Sequence, residues 1–240
     1  MRIILLLFFI VFLNATKIEA TYVAKYGWFG TIAKAKGIFE KNNTNYKITA
    51  IVKTKGIAAA LSGNLEQKYE SIGIIKNGLL IPQKYILSIL RRGILYKREF
   101  IFNHKEKNIK KIYYKNGLKT KVITYNYYAP YDILSLYWNL PKLIKKKKNY
   151  TFYAIGGRKK DGRIDISFLE NKELIKIKKI LKKDGIYIKA NLYNKVFVGD
   201  KGILYLVINP NNWVTLAGMV TNVLKIGNLK GEIKSLKELN

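Results

Sequence analysis

Apolar and lysine side chains alternate one by one through much of this chain, and that period of two constrains its fold more than any other feature. In NYKITAIVKTK (45–55), Tyr46, Ile48, Ala50 and Val52 share one parity, while Lys47, Thr49 and Lys53 take the other. Successive side chains of a strand point to opposite faces, so such a run reads as a half-buried antiparallel strand, apolar inside and lysine outside. IKKIYYKNGLKTKVITYNY (109–127) holds two such runs, and GRIDISFLE (162–170), GIYIKANLY (185–193) and GILYLVINP (202–210) hold one each. Between runs sit Lys76-Asn77-Gly78, Lys115-Asn116-Gly117, Asp161-Gly162, Lys183-Asp184-Gly185 and Gly199-Asp200-Lys201-Gly202. Asn-Gly and Asp-Gly accept the positive φ angles of tight hairpin turns, whose twist matches the flanking strands. Hairpins in series make a meander. The expected fold is mainly β: a strongly curved, half-barrel-like antiparallel meander sheet covering one apolar helix, with few short helices.

The helix expected inside the sheet is DILSLYWNL (132–140). Pro130 sets its approach, Asp132 caps the exposed N–H groups, and Pro141 is expected to end it. Ile133, Leu134, Leu136, Tyr137, Trp138 and Leu140 cover most of its circumference, and a helix apolar nearly all round calls for burial. GIAAALSGN (56–64) reads as one or two helical turns. KELIKIKKILKK (172–183) fits both periods; the adjacent Asp184-Gly185 turn favours a strand in a hairpin. One β-rich domain over 21–240 is expected, with a soft midpoint near 142–149 at KLIKKKK.

MRIILLLFFIVFLNATKIEA opens the chain with Arg2, an unbroken apolar run from Ile3 to Leu13, and a short polar region ending in Ala20. That is the layout of a signal peptide over residues 1–20, cut after Ala20. Export with no cysteine in the chain suits the periplasm of a Gram-negative bacterium, since exterior domains are often disulfide-stapled. No later stretch approaches the length of a membrane-spanning helix. With 45 Lys and Arg against 15 Asp and Glu, the formal charge of +30 attracts polyanions and anionic headgroups.

The inventory argues against an enzyme. There is no thiol nucleophile and no thiolate metal site, and the single histidine, His104, lies in FNHKEKN, which reads as a solvent-facing turn. The acid pairs Asp161/Asp165 and Glu66/Glu70 have basic neighbours and read as local charge balance. Gly156-Gly157 has no following helix and reads as a turn, not a phosphate cradle. No cofactor or metal is expected. Nucleic-acid binding is not expected of an exported protein, although KIYYKNG interleaves aromatic and basic residues. A membrane β-barrel is disfavoured because a mid-bilayer lysine costs about 2–4 kcal/mol and runs such as KIKKILKK leave too little clean apolar face.

YVAKYGWFGTIAKAKG, the Asn77-Gly78-Leu79 turn followed by Pro82, YDILSLYW and ILYLVINPNNWVTLAG together resemble the exported bacterial family known as domain of unknown function 3108. The likeness spans residues 22–236 loosely. It departs where Asn211, Asn212 and Thr215 replace the acidic residues and proline usual near that family's last strands. The resemblance implies a periplasmic β-rich protein with no established activity.

The expected function is binding of an amphipathic or apolar envelope molecule, a lipid or lipid-linked glycan, between sheet and helix. The candidate contacts are Tyr127, Tyr131, Leu134, Tyr137 and Trp138, with Lys145, Lys146, Lys147 and Lys148 meeting an anionic headgroup. The alternative is a scaffold whose basic face contacts anionic envelope polymers or a protein partner.

Overall fold

A computed structural model describes residues 16–27, 30–145, 147–193, 199, 201–223 and 227–239. The first half of the described chain is a meander: β1 (Thr16–Lys25), β2 (Thr31–Lys41), β3 (Asn45–Thr54), β4 (Glu66–Lys76), β5 (Leu79–Arg91), β6 (Ile94–Asn103), β7 (Asn108–Lys115) and β8 (Leu118–Thr124). The helix α1 (Gly56–Ser62) links β3 to β4. A two-residue strand, β9 (Tyr131–Asp132), leads into α2 (Ile133–Leu143). The second meander is β10 (Tyr150–Ile155), β11 (Arg163–Phe168), β12 (Ile186–Tyr193), β13 (Lys201–Ile208), β14 (Thr215–Val223) and β15 (Gly227–Leu239), with α3 (Asn171–Leu181) between β11 and β12.

Every one of these strands belongs to a single curved sheet, whose order runs from β8 down to β1, then from β15 down to β9. The meanders therefore meet at β1 and β15, paired antiparallel from Lys17↔Leu239 to Lys25↔Lys230 with a bulge after Thr21. The turns follow the residues that need them. At the β4–β5 and β7–β8 hairpins, Asn77 and Gly78 have φ of 52° and 71°, and Asn116 and Gly117 have 48° and 84°, the left-handed region that Asn and Gly tolerate.

Nine strands separate β5 from β10 along the sheet, yet α2 packs on both. The α2-bearing face is therefore concave. Leu136, Leu140 and Ile144 bury themselves against Ala154, Ile166, Ile188 and Ile208 of the second meander. Leu134 and Trp138 pack instead on Phe39, Tyr46, Ile48 and Leu80 of the first. Pro141 lies inside the helix, which runs on to Leu143; the expected stop at 141 is corrected to that extent.

KELIKIKKILKK is a helix, not the expected strand. Ile177 and Leu181, with Leu174 beside them, pack on Tyr187, Tyr205, Val207, Ala217 and Met219. Those strand residues pair across the face opposite α2, so α3 covers the convex side of the second meander. Helical spacing gathers Leu174, Ile177 and Leu181 into one stripe and leaves Ile175 58% exposed. The stripe prevails because three neighbouring strands supply a surface to bury it.

Most of the expected leader, residues 1–15, lies outside the described residues. Its last five residues, Thr16–Ala20, form the first half of β1 and pair with Gly37–Lys41 of β2 and with Leu236–Leu239 of β15. Ala20 is buried, and Ile18 packs beside Trp138. A cut after Ala20 would fall in the middle of this central strand.

Candidate functional site

The helix α2 is fixed inside the sheet by three polar clamps. Asp132, fully buried, caps it: the Leu134 and Ser135 N–H groups donate to Oδ1 at 2.9 and 3.0 Å, and Ser71 Oγ donates to Oδ2 at 2.6 Å. The Ser71 proton is committed to Asp132, so Tyr46, 3.0 Å away, is the donor to Ser71. Burial pushes the Asp132 carboxyl up to about 6, against the pull of Ser71 and the two backbone amides. Asn139 is the second clamp: Leu80 N–H donates to its Oδ1 at 2.8 Å, and its Nδ2 donates to Leu80 carbonyl at 2.9 Å. The third is Tyr137, whose hydroxyl donates to the Trp213 carbonyl at 2.6 Å and lies 2.9 Å from Thr215 Oγ1. Burial raises its phenol to about 12.

The five apolar candidates all have packing partners. Trp138 stacks on Phe39 with ring centroids 4.4 Å apart. Leu134 sits where two clusters meet, Tyr131 packs beside α2, and Tyr127 lies 4.7 Å from the Tyr125 ring. Burial, and then the nearby Tyr137, raise the phenol of Tyr22 on β1. Lys145, Lys147 and Lys148 are exposed beyond the end of α2, and Lys148 Nζ stands 5.3 Å over the Tyr150 ring. Lys146 falls outside the described residues.

The sheet extends well past the helix. An eleven-residue helix is about 16 Å long and 10 Å across, whereas a ten-residue strand spans about 33 Å. The core side chains around α2 gather at one end, near Ile18, Phe39, Tyr46, Ile75 and Leu80. Toward the other end of the same face, the register places Tyr22, Ala35, Val52, Leu87 and Ile89 in the first meander and Leu204, Val220, Leu229 and Ile233 at the junction with the second. All are half-buried. This uncovered stretch of concave face is the candidate site. Two clefts, of about 460 and 370 Å³, accompany it: one beside α3 at Ile180, Leu181 and Lys230, the other among Val23, Lys34, Lys36, Ile51 and Lys53, touching Tyr22 and Ala35 of this stretch. Neither is lined by a residue of α2.

The faces also differ in charge. On the convex side, lysines pair with acids: Lys17–Glu40, Lys36–Glu19, Lys53–Glu66, Lys47–Glu70 and Lys68–Glu70. The acids Glu66 and Glu70 are thus matched to cations. Arg158 binds Asp161 and holds its carboxyl down to about 2; against burial, Arg163 and Thr151 hold Asp165 below its usual range. His104 is not the solvent-facing residue expected. It is half-buried, its Nε2 donates to the Pro82 carbonyl at 2.6 Å, and its Nδ1 lies 2.7 Å from Tyr128 hydroxyl. The turn is polar, but the Phe102 ring stacks on the imidazole and draws it inward.

Arg98, Lys111, Tyr113 and Lys121 stand on the α2-bearing face; the sequence reading met Lys111 and Tyr113 only in the aromatic-basic interleaving of KIYYKNG, and Arg98 and Lys121 not at all. For Lys111 a second signal was present: in IKKIYYK the inward parity reads Ile109, Lys111, Tyr113, so a lysine occupies a position the pattern reserves for apolar residues. No family model matches this chain, and no curated protein matches it.

Proposed function

We propose that this protein is an exported, non-enzymatic binder of an amphipathic envelope molecule, a lipid or lipid-linked glycan, held on the concave face against α2. The observation that carries the reading is the half-buried, mainly apolar stretch running from Tyr22 through Val52 and Gln67 to Ile89, which α2 is too small to cover. Partly exposed apolar surface gathered on one face marks binding sites for apolar ligands. Tyr137 is near enough to Tyr22 of that stretch to influence its phenol, whereas Trp138 and Leu134 anchor the helix. The role of α2 in this reading is to close one end of the face and give a guest a wall. The likeness to the domain of unknown function 3108 family is part of the same proposal; YDILSLYW builds α2, and ILYLVINPNNWVTLAG builds β13 and β14.

The test is to strip purified protein of lipid, expose it to a bacterial envelope extract, and weigh the complexes by native mass spectrometry. Retention of discrete lipid masses, lost on Val52→Asp with the fold intact, is the expected outcome. A protein that returns clean, with the same unfolding midpoint before and after exposure, overturns the reading.

A further inference from the structure

Cross-strand pairing sets Leu87, Arg98, Tyr113 and Lys121 in one row over β5, β6, β7 and β8, all on the α2-bearing face. Adjacent strands lie about 4.8 Å apart, so Arg98 and Lys121 flank Tyr113 at about that spacing on either side. Lys111, two residues along β7, stands on the same face, with Nζ 4.7 Å from the Tyr113 ring centroid, 4.9 Å from Tyr125 and 5.1 Å from Phe100. Three cations thus gather around one phenol. Lys111 above all, and then the charges of Arg98 and Lys121, hold that phenol below its usual range.

Among the described residues, no carboxylate forms an ion pair with Arg98, Lys111 or Lys121. The neighbouring acid, Glu99, has the opposite parity and bonds Lys97 and Tyr114. Of the described strand carboxylates, only Asp132 and Glu238 stand on the α2-bearing face. Asp132 is buried as the helix cap, and Glu238 pairs with Ile18 on β1, seven strands from β8 in the sheet order. The convex lysines have acids to meet; these concave cations do not. Like charges kept this close cost free energy unless something neutralises them.

The row begins at Leu87 and so touches the apolar stretch described above. We propose that Arg98, Lys111, Lys121 and the Tyr113 hydroxyl receive the phosphoryl headgroup of an anionic phospholipid whose acyl chain lies along Leu87, Ile89 and Val52. This rests on the concave-face reading and names the ligand class for it. A guanidinium offers a fixed fork of donors to phosphoryl oxygens, and ammonium groups add point charge. Packing of the Lys111 stem among rings keeps its charge near the sheet instead of out in solvent.

The experiment titrates the full chain with short-chain phosphatidylglycerol below its micelle concentration, with phosphatidylcholine of the same chains, and with inorganic phosphate, reading tryptophan fluorescence and calorimetry. The expected result is that phosphatidylglycerol binds about tenfold more tightly than phosphatidylcholine, and inorganic phosphate more weakly than both. Arg98→Gln/Lys111→Gln/Lys121→Gln should erase that preference while keeping phosphatidylcholine binding. A control, Lys201→Gln/Lys230→Gln/Lys237→Gln, removes the same charge from other strands and should keep it. Circular dichroism confirms that both variants fold. Equal binding of the two lipids by the unaltered chain, or equal loss of preference in the control, overturns the headgroup site alone. Phosphate binding as tightly as phosphatidylglycerol reduces the site to a simple anion site and also overturns it. If neither lipid binds, the concave-face reading itself fails.

Discussion

One concave face carries two different surfaces. At the end holding α2, every large side chain has a partner and even the polar ones are matched: Asp132 with Ser71 and two amides, Asn139 with both polar groups of Leu80, Tyr137 with Trp213 and Thr215. Among the described residues, no buried side-chain nitrogen or oxygen there lacks a hydrogen bond. At the other end, Val52, Leu87 and Ile89 are half-buried on the same sheet and belong to none of the clusters that pack on α2. The same strands build both. The difference lies in what the connection between β8 and β10 brings: eleven helical residues that reach one end and not the other. Apolar surface left open by a fold that elsewhere satisfies its polar groups fits a surface kept for a guest, and the predictions below set the two ends against each other.

The largest effect should come from cutting the strand that both halves share. A chain beginning at Thr21 leaves Gly37–Lys41 and Leu236–Leu239 facing no partner and withdraws Ile18 from the Trp138 cluster. We expect a loss on the order of 5 kcal/mol in denaturant unfolding, from several strand hydrogen bonds and two buried apolar groups. If the leader is removed, the product should accordingly retain Thr16, and the intact mass of the purified protein checks this directly. A mature N-terminus at Thr21 with unimpaired stability would break the picture of β1 as the common seam.

Next, Leu140→Ala at the filled end should cost about 3–4 kcal/mol, because the side chain is buried against Ile188 and Ile208 and leaves a cavity. Leu87→Ala at the open end should cost less, about 1–2 kcal/mol, since part of that surface is already wet. Paired chemical denaturation of the two variants sharpens the comparison; equal losses would mean that the open end is covered in solution.

Asp132 gives the filled end a pH signature. Its folded value of about 6 lies above the ordinary 3.8, so the folded state holds the proton more tightly than the unfolded chain. For such a group, stability falls as pH rises from about 4 to about 6 and stays reduced above it, by about 3 kcal/mol in all. Asp132→Asn keeps an acceptor for the Leu134 and Ser135 amides without the charge, and should flatten that slope. Unfolding midpoints from pH 4 to pH 7.5 for both proteins check the sign. The smallest effect belongs to Ile175→Gln, within about 0.5 kcal/mol, because that side chain stands off the packed stripe of α3.

The expected elements were legible wherever local chemistry decides. Asn77-Gly78 and Asn116-Gly117 turned where they had to, the alternation of 45–55 became β3, and the Asp132 cap with its apolar run became a buried helix. The candidate site was only half legible. The helix and its aromatics were found, but Trp138 and Leu134 turned out to anchor it, while Lys111, at an inward parity, was read only as part of KIYYKNG and not joined to Arg98 and Lys121 on neighbouring strands. Parity tells which residues share a face within one strand; it does not tell which face of the whole sheet is concave.

What the sequence by itself determined is therefore the set of strands, most of their turns, and the burial of 132–140, because dihedral preference and a period of two act over a few residues. Only the tertiary structure decided three things. It paired β1 with β15 across the length of the chain, and it made 171–181 a helix by offering Tyr205, Val207 and Met219 as a floor. It also set α2 over one end of the concave face and left the other open. Each depends on burial between residues far apart in sequence, and that free energy exists only once the sheet has curved to bring them together.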